Sequence, residues 1–172
     1  LGVTGSIAAY KAVDIASKLV QAKARVTVVM TLSAARFVTP LTFQTISRNR
    51  VLTDMFGVDY EYAPKHIALA ERADLVLIAP ATANIIGKIA HGIADDLLST
   101  LVMSATAPVV IAPAMNVNMY RNKIVRQNIA SLRKSGYKFI EPEKGYLACG
   151  ATGEGRLAAT DIIIKTITSL LK

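Results

Sequence analysis

Short apolar runs alternate along the chain with longer stretches in which apolar residues recur every three or four positions. A short run without a polar face suits a strand buried on both sides, and the helical period suits a segment lying on a sheet. The alternation therefore predicts βα units around a mostly parallel sheet, an α/β fold. Residues 1–3 read as the end of a first strand. Gly5-Ser6 then opens a helix whose apolar positions Ile7, Ala8, Val13, Ile15, Ala16, Leu19 and Val20 run towards Lys23. A second strand falls at residues 25–30, where Val26, Val28 and Val29 are β-branched. Thr31 and Ser33 stand at its carboxyl end, placed to cap the segment beginning Ala34-Ala35-Arg36-Phe37.

Further on, residues 40–50 predict a short helix, 51–53 a strand, 57–65 a loop and 66–72 a helix. Residues 74–79 (DLVLIA) and 108–112 (PVVIA) read as buried strands, with one or two helices at 83–101 between them. Residues 118–135 predict a helix stopped by Gly136, and 137–140 a strand that closes the sheet. After a glycine-rich loop at 145–155, the last helix has Thr160 as N-cap, Asp161 in its first turn and an apolar stretch at 162–171. No internal repeat or low-complexity linker interrupts this order.

Composition narrows the reading. The 172 residues, 52% apolar and 19% charged, suffice for a single domain, residues 1–172, with a sizeable core, and are a poor match to a disordered chain. No apolar run approaches the roughly 20 residues that span a bilayer. The formal charge of +8 favours an anionic partner: nucleic acid, a membrane surface or a phosphorylated small molecule. Between Asp96 and Glu141 there is no acidic residue, while Arg121, Lys123, Arg126, Arg133, Lys134 and Lys138 fall there; a solvated helix face is the simplest account. With 6% aromatic residues and no Trp, a base-stacking surface is disfavoured. The one cysteine, Cys149, excludes an intramolecular disulfide, no Cys/His spacing suits zinc, and a reducing cytoplasmic setting fits best. No signal-peptide pattern opens the chain, and without an initial Met it reads as lacking a few leading residues.

In an open α/β sheet, loops and helix N-termini converge beyond the carboxyl ends of the strands, where ligands bind. The unusual residues of this chain fall at those ends. Gly2-Val3-Thr4-Gly5-Ser6-Ile7 allows close backbone approach to an anion, although the same residues also make a tight strand-to-helix turn; it is neither a dinucleotide fingerprint nor a Walker loop. Small residues in Ala79-Pro80-Ala81-Thr82-Ala83-Asn84 leave room for a flat ring. Ala112-Pro113-Ala114-Met115-Asn116 follows the next buried strand, and both prolines stiffen their loops. Glycines at 145, 150, 153 and 155 around the lone thiol suggest a mobile flap.

GVTGSIAAYKA, HIALAERADLVLIAPATANIIGKIAHGIADDLLST, PAMNVNMY and LACGATGEGRLA, in this order from Gly2 to Ala158, resemble the flavin-containing cysteine decarboxylase family, most nearly its branch in coenzyme A biosynthesis. The resemblance implies a Rossmann-like, flavodoxin-type three-layer sandwich with FMN at a subunit interface of homotrimers, sometimes gathered into dodecamers. It assigns FMN binding to Gly5, Ser6, Ile7, Thr31, Ser33, Thr82, Ala83, Asn84 and Ile85, with Ala114 and Met115 on the flavin or substrate side. His66 matches the catalytic histidine, Asn116 the substrate-binding asparagine and Cys149 the flap cysteine. The implied reaction takes 4′-phosphopantothenoylcysteine to 4′-phosphopantetheine and CO2. A cysteinyl carboxylate lacks an electron sink, and transient oxidation to a thioaldehyde creates one; the enethiol left by CO2 is then reduced. His66 would position substrate or shuttle a proton, and Cys149 would act as acid.

Two departures stand out: Tyr120 where the motif usually has Trp, and Asp95 where many members carry Asn or another residue. Competing readings are a peptidyl-cysteine decarboxylase, a flavin prenyltransferase, a non-enzymatic flavin-fold regulator of a phosphatase, and DNA binding. PAMN and His66 disfavour the prenyltransferase, and the lack of a long acidic tail disfavours the regulator. Whether a phosphopantothenate–cysteine ligase domain follows Lys172 stays open at this point, as does trimer against dodecamer.

Overall fold

The computed structural model describes residues 1–56, 65–146, 150 and 152–171, without the side chains of 65 and 66. Five parallel strands form the central sheet: β1 (Gly2–Val3), β2 (Val29–Met30), β3 (Val76–Ala81), β4 (Val109–Pro113) and β5 (Lys138–Phe139), in the order β2-β1-β3-β4-β5. Its helices are α1 (Ala9–Gln21), α2 (Pro40–Ser47), α3 (Lys65–Arg72), α4 (Ala83–Ala90), α5 (Leu97–Ser104), α6 (Val117–Arg121), α7 (Lys123–Lys134) and α8 (Thr160–Leu170). An antiparallel hairpin, β6 (Glu143–Tyr146) with β7 (Thr152–Arg156), stands apart from the sheet.

The continuous apolar runs are explained by burial of both sheet faces. Side chains alternate along a strand, so Val76, Ile78, Val109 and Ile111 pack in one cluster with Ile85, Ile86 and Ile89 of α4, Leu98 of α5 and Ile129 of α7. Their neighbours Leu77, Ala79, Val110 and Ala112 pack with Ile15 of α1 and with Ile163 and Ile167 of α8. A third cluster closes around Val3, Val28 and Met30, where Phe43 of α2 is fully buried against Ala9, Ala12 and Ala16 of α1. This is a flavodoxin-type three-layer sandwich. Among the described residues no helix is long and apolar enough to cross a membrane.

The structure corrects several local expectations. Helix α1 begins at Ala9, because Gly5 to Ala8 are spent on a turn in which the Ser6 N–H donates to Thr4 O at 2.8 Å and the Ala9 N–H to Ser6 O at 2.9 Å. The expected strand at 51–53 is one parallel bridge, Val29 to Leu52. The helix expected at 118–135 is two, divided at Asn122, whose side chain accepts from the Ile124 N–H and starts α7 afresh. Thr160 is the first helical residue and not the cap; Ala159 is the N-cap, and its N–H donates to Glu143 Oε1 at 2.9 Å. The expected loop at 145–155 contributes Gly145 and Tyr146 to β6 and most of β7, a pairing that a run of glycines does not signal.

The two departures have structural roles. Asp95 accepts an ion pair from Lys88 at 2.6 Å, and Asp96 takes the same ammonium at 2.7 Å while forming a capping box with Ser99 at the start of α5. Tyr120 is 3% exposed within the core, so it is no wall of a cleft. Its hydroxyl donates to Glu141 Oε2 at 3.0 Å, Arg133 pairs with the same carboxylate, and the Arg126 guanidinium lies 5.2 Å from the ring centroid. Burial, then the bond to Glu141, pushes the phenol up to about 12. The folded state thus holds this proton more tightly than the unfolded state, and the stability it contributes is complete below pH about 10 and lost as pH rises towards 12. Tyr120→Phe is expected to cost about 1 kcal/mol at pH 8 and to flatten the decline in stability between pH 10 and 12. Urea unfolding at both ends of that window checks the slope.

Candidate functional site

Strand order 2-1-3-4-5 reverses direction between β1 and β3, so the connections from these neighbours diverge and leave a crevice beyond their carboxyl ends. Thr4, 1% exposed, fastens the two lips together: its Oγ1 donates to Pro80 O at 2.7 Å and accepts from the Thr82 N–H at 3.1 Å. Sequence reasoning passed over Thr4; a hydroxyl between two glycines of an otherwise apolar turn was the available signal. Gly5 brings the first turn against the second loop. A Cβ at Gly5 would stand 2.5 Å from Ser33 Cβ and 3.2 Å from the Ser33 carbonyl carbon, so only glycine fits.

Thr31 accepts from the Ala34 N–H at 3.2 Å and caps the short turn Ala34–Arg36; Ser33, expected to share this task, makes no cap bond and is exposed. Thr82 caps α4 by accepting from the Ile85 N–H. Of the residues assigned to that loop, Ala83 and Asn84 stand at the surface-facing start of α4. Ile85 does not: its side chain is 1% exposed in the core and its N–H is committed to Thr82, because the helix must turn an apolar face to the sheet.

A cavity of about 400 Å³ opens beside the first turn. Ser6, Ile7, Ala114, Met115 and Asn116 line it, as do Tyr10 and Lys11 of α1, Tyr146 of β6, and Arg156 of β7, which sequence reasoning did not single out. Thr31, Ser33, Thr82, Ala83 and Asn84 are not among its lining residues. Asn116 caps α6 by accepting from the Asn118 N–H at 2.8 Å, which fixes the amide plane. The hairpin reaches the cavity through one close approach. Gly155, at φ +137°, accepts from the Met115 N–H at 2.9 Å, and a Cβ there would stand 2.3 Å from Met115 O. Gly153 is equally pressed, with a Cβ position 2.6 Å from Val117 Cγ2. A broader depression at Gln44, Thr45, Arg48, Asn49 and Arg50 is polar and lies at no strand end of the sheet.

His66 lies on α3, but its side chain is outside the described residues, and Cys149 lies outside them altogether. Among the described residues no cluster of His, Cys, Asp or Glu suits a metal. The polar groups that do line the cavity are the hydroxyls of Ser6, Tyr10 and Tyr146, the Asn116 amide and the cations Lys11 and Arg156, around small residues. That set fits a flat group bearing a phosphate.

A flavodoxin-type sheet with a hydroxyl- and amide-lined crevice at its switch point defines a domain that holds a planar, phosphorylated ligand. The flavoprotein family matches residues 1–172, and the chain belongs to that family. It is 57% identical over 165 residues to the coenzyme A biosynthesis bifunctional protein CoaBC of Bacillus subtilis, covering 96% of this chain and 41% of that protein. The chain thus spans about two fifths of the bifunctional relative's length. It is 46% identical over 173 residues to a probable phosphopantothenoylcysteine decarboxylase of Streptococcus mutans, covering 99% of this chain and 97% of that one. Among solved structures, a mutant PPC decarboxylase complexed with pantothenoylaminoethenethiol matches with TM-score 0.89 and 31% identity over 98% of this chain and 94% of its own. The FMN-dependent cysteine decarboxylase SpaF matches with TM-score 0.87 and 32% identity over 99% and 92%.

Proposed function

We propose that this protein is an FMN-dependent carboxy-lyase of the cytoplasm that converts 4′-phosphopantothenoylcysteine to 4′-phosphopantetheine and CO2. The observation that carries this reading is the end-to-end similarity to the Streptococcus mutans decarboxylase, laid over a crevice whose donors suit a phosphorylated planar cofactor. Gly5, Ser6 and Ile7 would hold FMN at the first turn, Thr31 and Ser33 at the second loop, and Thr82, Ala83 and Asn84 at the start of α4. When bound, FMN would supply a reversible two-electron sink for the cysteinyl Cβ–S unit, which would give the departing CO2 an electron acceptor and leave the net reaction without need of an external reductant.

The chain's own residues orient the substrate and move protons. Ala114 and Met115 form the floor on which the reacting carbon rests. Asn116, its Oδ1 held by the Asn118 N–H, lines the cavity where the substrate carboxylate would bind. His66, carried by α3, positions the substrate or takes the thiol proton, and the Cys149 thiol returns a proton to the enethiolate carbon. Exposed apolar residues beside the crevice, Ile7 and Tyr10 with Leu32 and Phe37, favour completion of the site by a neighbouring copy in a trimer or dodecamer. In relatives of CoaBC length, a fused phosphopantothenate–cysteine ligase domain would accompany this one.

The test is incubation of the purified yellow protein with 4′-phosphopantothenoylcysteine, followed by mass spectrometry. Loss of CO2 without added reductant is expected. Unchanged substrate with FMN bound would defeat the enzyme reading, and turnover only of a peptide ending in Cys would replace the substrate. Gly5→Ala separates cofactor binding from chemistry. Its Cβ pushes Ser33 away and spreads the first two loops, so FMN retention is expected to weaken about tenfold, a cost of roughly 1.4 kcal/mol. Flavin absorbance after dialysis measures it.

A further inference from the structure

Glu141-Pro142-Glu143 joins the edge strand β5 to the hairpin, and its two carboxylates fasten the chain to different helical layers. Glu141 accepts from the Tyr120 hydroxyl of α6 and pairs with Arg133 of α7, on the side of the sheet where Ile129 and Leu132 are buried. Glu143, the first residue of β6, reaches the layer over the other face, where its Oε1 accepts from the Ala159 N–H at 2.9 Å. Pro142 between them is buried. Helix α8 has no cap of its own: Ala159 offers no side-chain acceptor, and the N3 position, whose side chain commonly returns to the N-cap N–H, holds Ile162. Glu143, 16 residues back along the chain, supplies the missing acceptor. A carboxylate on an amide at a helix start is a charge-assisted bond. The bond matters because the hairpin stands apart from the sheet. From β7 it is tied to the body by Gly155 O, which accepts from the Met115 N–H, and by Gly153, pressed on Val117. From β6 the tie is Glu143. In the strand register Glu143 stands opposite Arg156, and Tyr146 ends the same strand; Tyr146 and Arg156 both line the cavity.

We infer that Glu143, through its bond to the Ala159 N–H, is the positioning residue that sets where the hairpin presents Tyr146 and Arg156 to the cavity. The kinetic consequence of this role rests on the proposed decarboxylation. Without the bond β6 loses its hold on α8 while β7 keeps its own, so the hairpin tilts about Gly155 and does not detach. The tilt shifts both lining residues with respect to Met115 and Asn116. A misplacement near 1 Å can cost about 10² in rate, and with the β7 ties intact a loss of about tenfold is expected.

The test compares Glu143→Ala, Glu143→Gln and Glu143→Asp in the FMN-loaded protein by steady-state decarboxylation and by amide hydrogen exchange. Gln keeps an oxygen acceptor at the same reach, whereas Asp keeps the charge and is one methylene too short. Glu143→Ala is expected to lower kcat/KM about tenfold and to speed exchange of the Met115 N–H by a similar factor, more than at Ile111 of β4, while flavin absorbance after dialysis stays at the parent level. Glu143→Gln should recover most of both effects, and Glu143→Asp should behave like Glu143→Ala. Parent-like kcat/KM and Met115 exchange in Glu143→Ala overturn the inference. So does faster exchange confined to the first turn of α8, which would make Glu143 a helix cap alone. Recovery by Asp but not by Gln also overturns it, because the charge and not the bond would then be at work. If the parent protein decarboxylates nothing, yet Met115 exchange rises in Glu143→Ala and returns in Glu143→Gln, the enzymatic reading fails and the positioning of the hairpin by Glu143 stands.

Discussion

Gly155→Ala is expected to lower kcat/KM about a hundredfold while the parallel sheet stays folded. The residue sits at φ +137°, which costs an L side chain on the order of 1–3 kcal/mol. Its new Cβ would also stand 2.3 Å from Met115 O, a backbone atom with no freedom to swing aside. Relief requires β7 to lift from the Met115–Asn116 segment, breaking the bond between the Met115 N–H and Gly155 O. Arg156 and Leu157 then move with respect to Asn116, and a misplacement near 1 Å is enough for a loss of about 10² in rate. Leu157 belongs to the cluster packed on one face of β3 and β4 while the cluster on the other face is untouched, so the melting temperature should fall by several degrees with the sheet still folded. Steady-state decarboxylation beside a thermal melt tests both halves; activity within threefold of the parent would show that the hairpin does not position the site.

Cys149→Ser is expected to stop the reaction between its two halves. A hydroxyl is a far weaker acid than a thiol, and a positioned acid contributes roughly 10² to 10⁴ to a proton transfer. CO2 should still be released, while a species two hydrogens lighter than the product accumulates. Quenched-flow mass spectrometry distinguishes this from a merely slow enzyme, since normal product formation would remove Cys149 from the proposed role.

Much of the architecture is legible in the chain because parallel strands covered on both faces must be apolar throughout. DLVLIA and PVVIA therefore announced β3 and β4, the helical periods between them announced α4 and α5, and the one after PVVIA announced α7. The candidate loops were legible for a related reason: small and polar residues directly after such runs fall at the carboxyl edge of the sheet. Less was readable where local preference loses to tertiary contact. The glycines at 145, 153 and 155 signal a loop, yet they serve a paired hairpin, where Val117 and Met115 leave no space for a Cβ at 153 and 155. Ile85 followed the ATAN loop into the expected cofactor set, but helical geometry turns it into the core. Thr4 drew no attention because its importance lies in a partner 76 residues away, at Pro80.

By itself, then, the sequence determined the α/β class, the succession of the five sheet strands, and the ends at which chemistry gathers, since these follow from periodicity and from which side chains tolerate burial. Only the tertiary structure decided that β1 and β3 diverge to open the crevice, that Thr4 ties their loops together, and that Lys11 meets Arg156 beside Asn116. Those outcomes depend on strand order and on approaches between segments far apart in the chain, and no local pattern of residues encodes either.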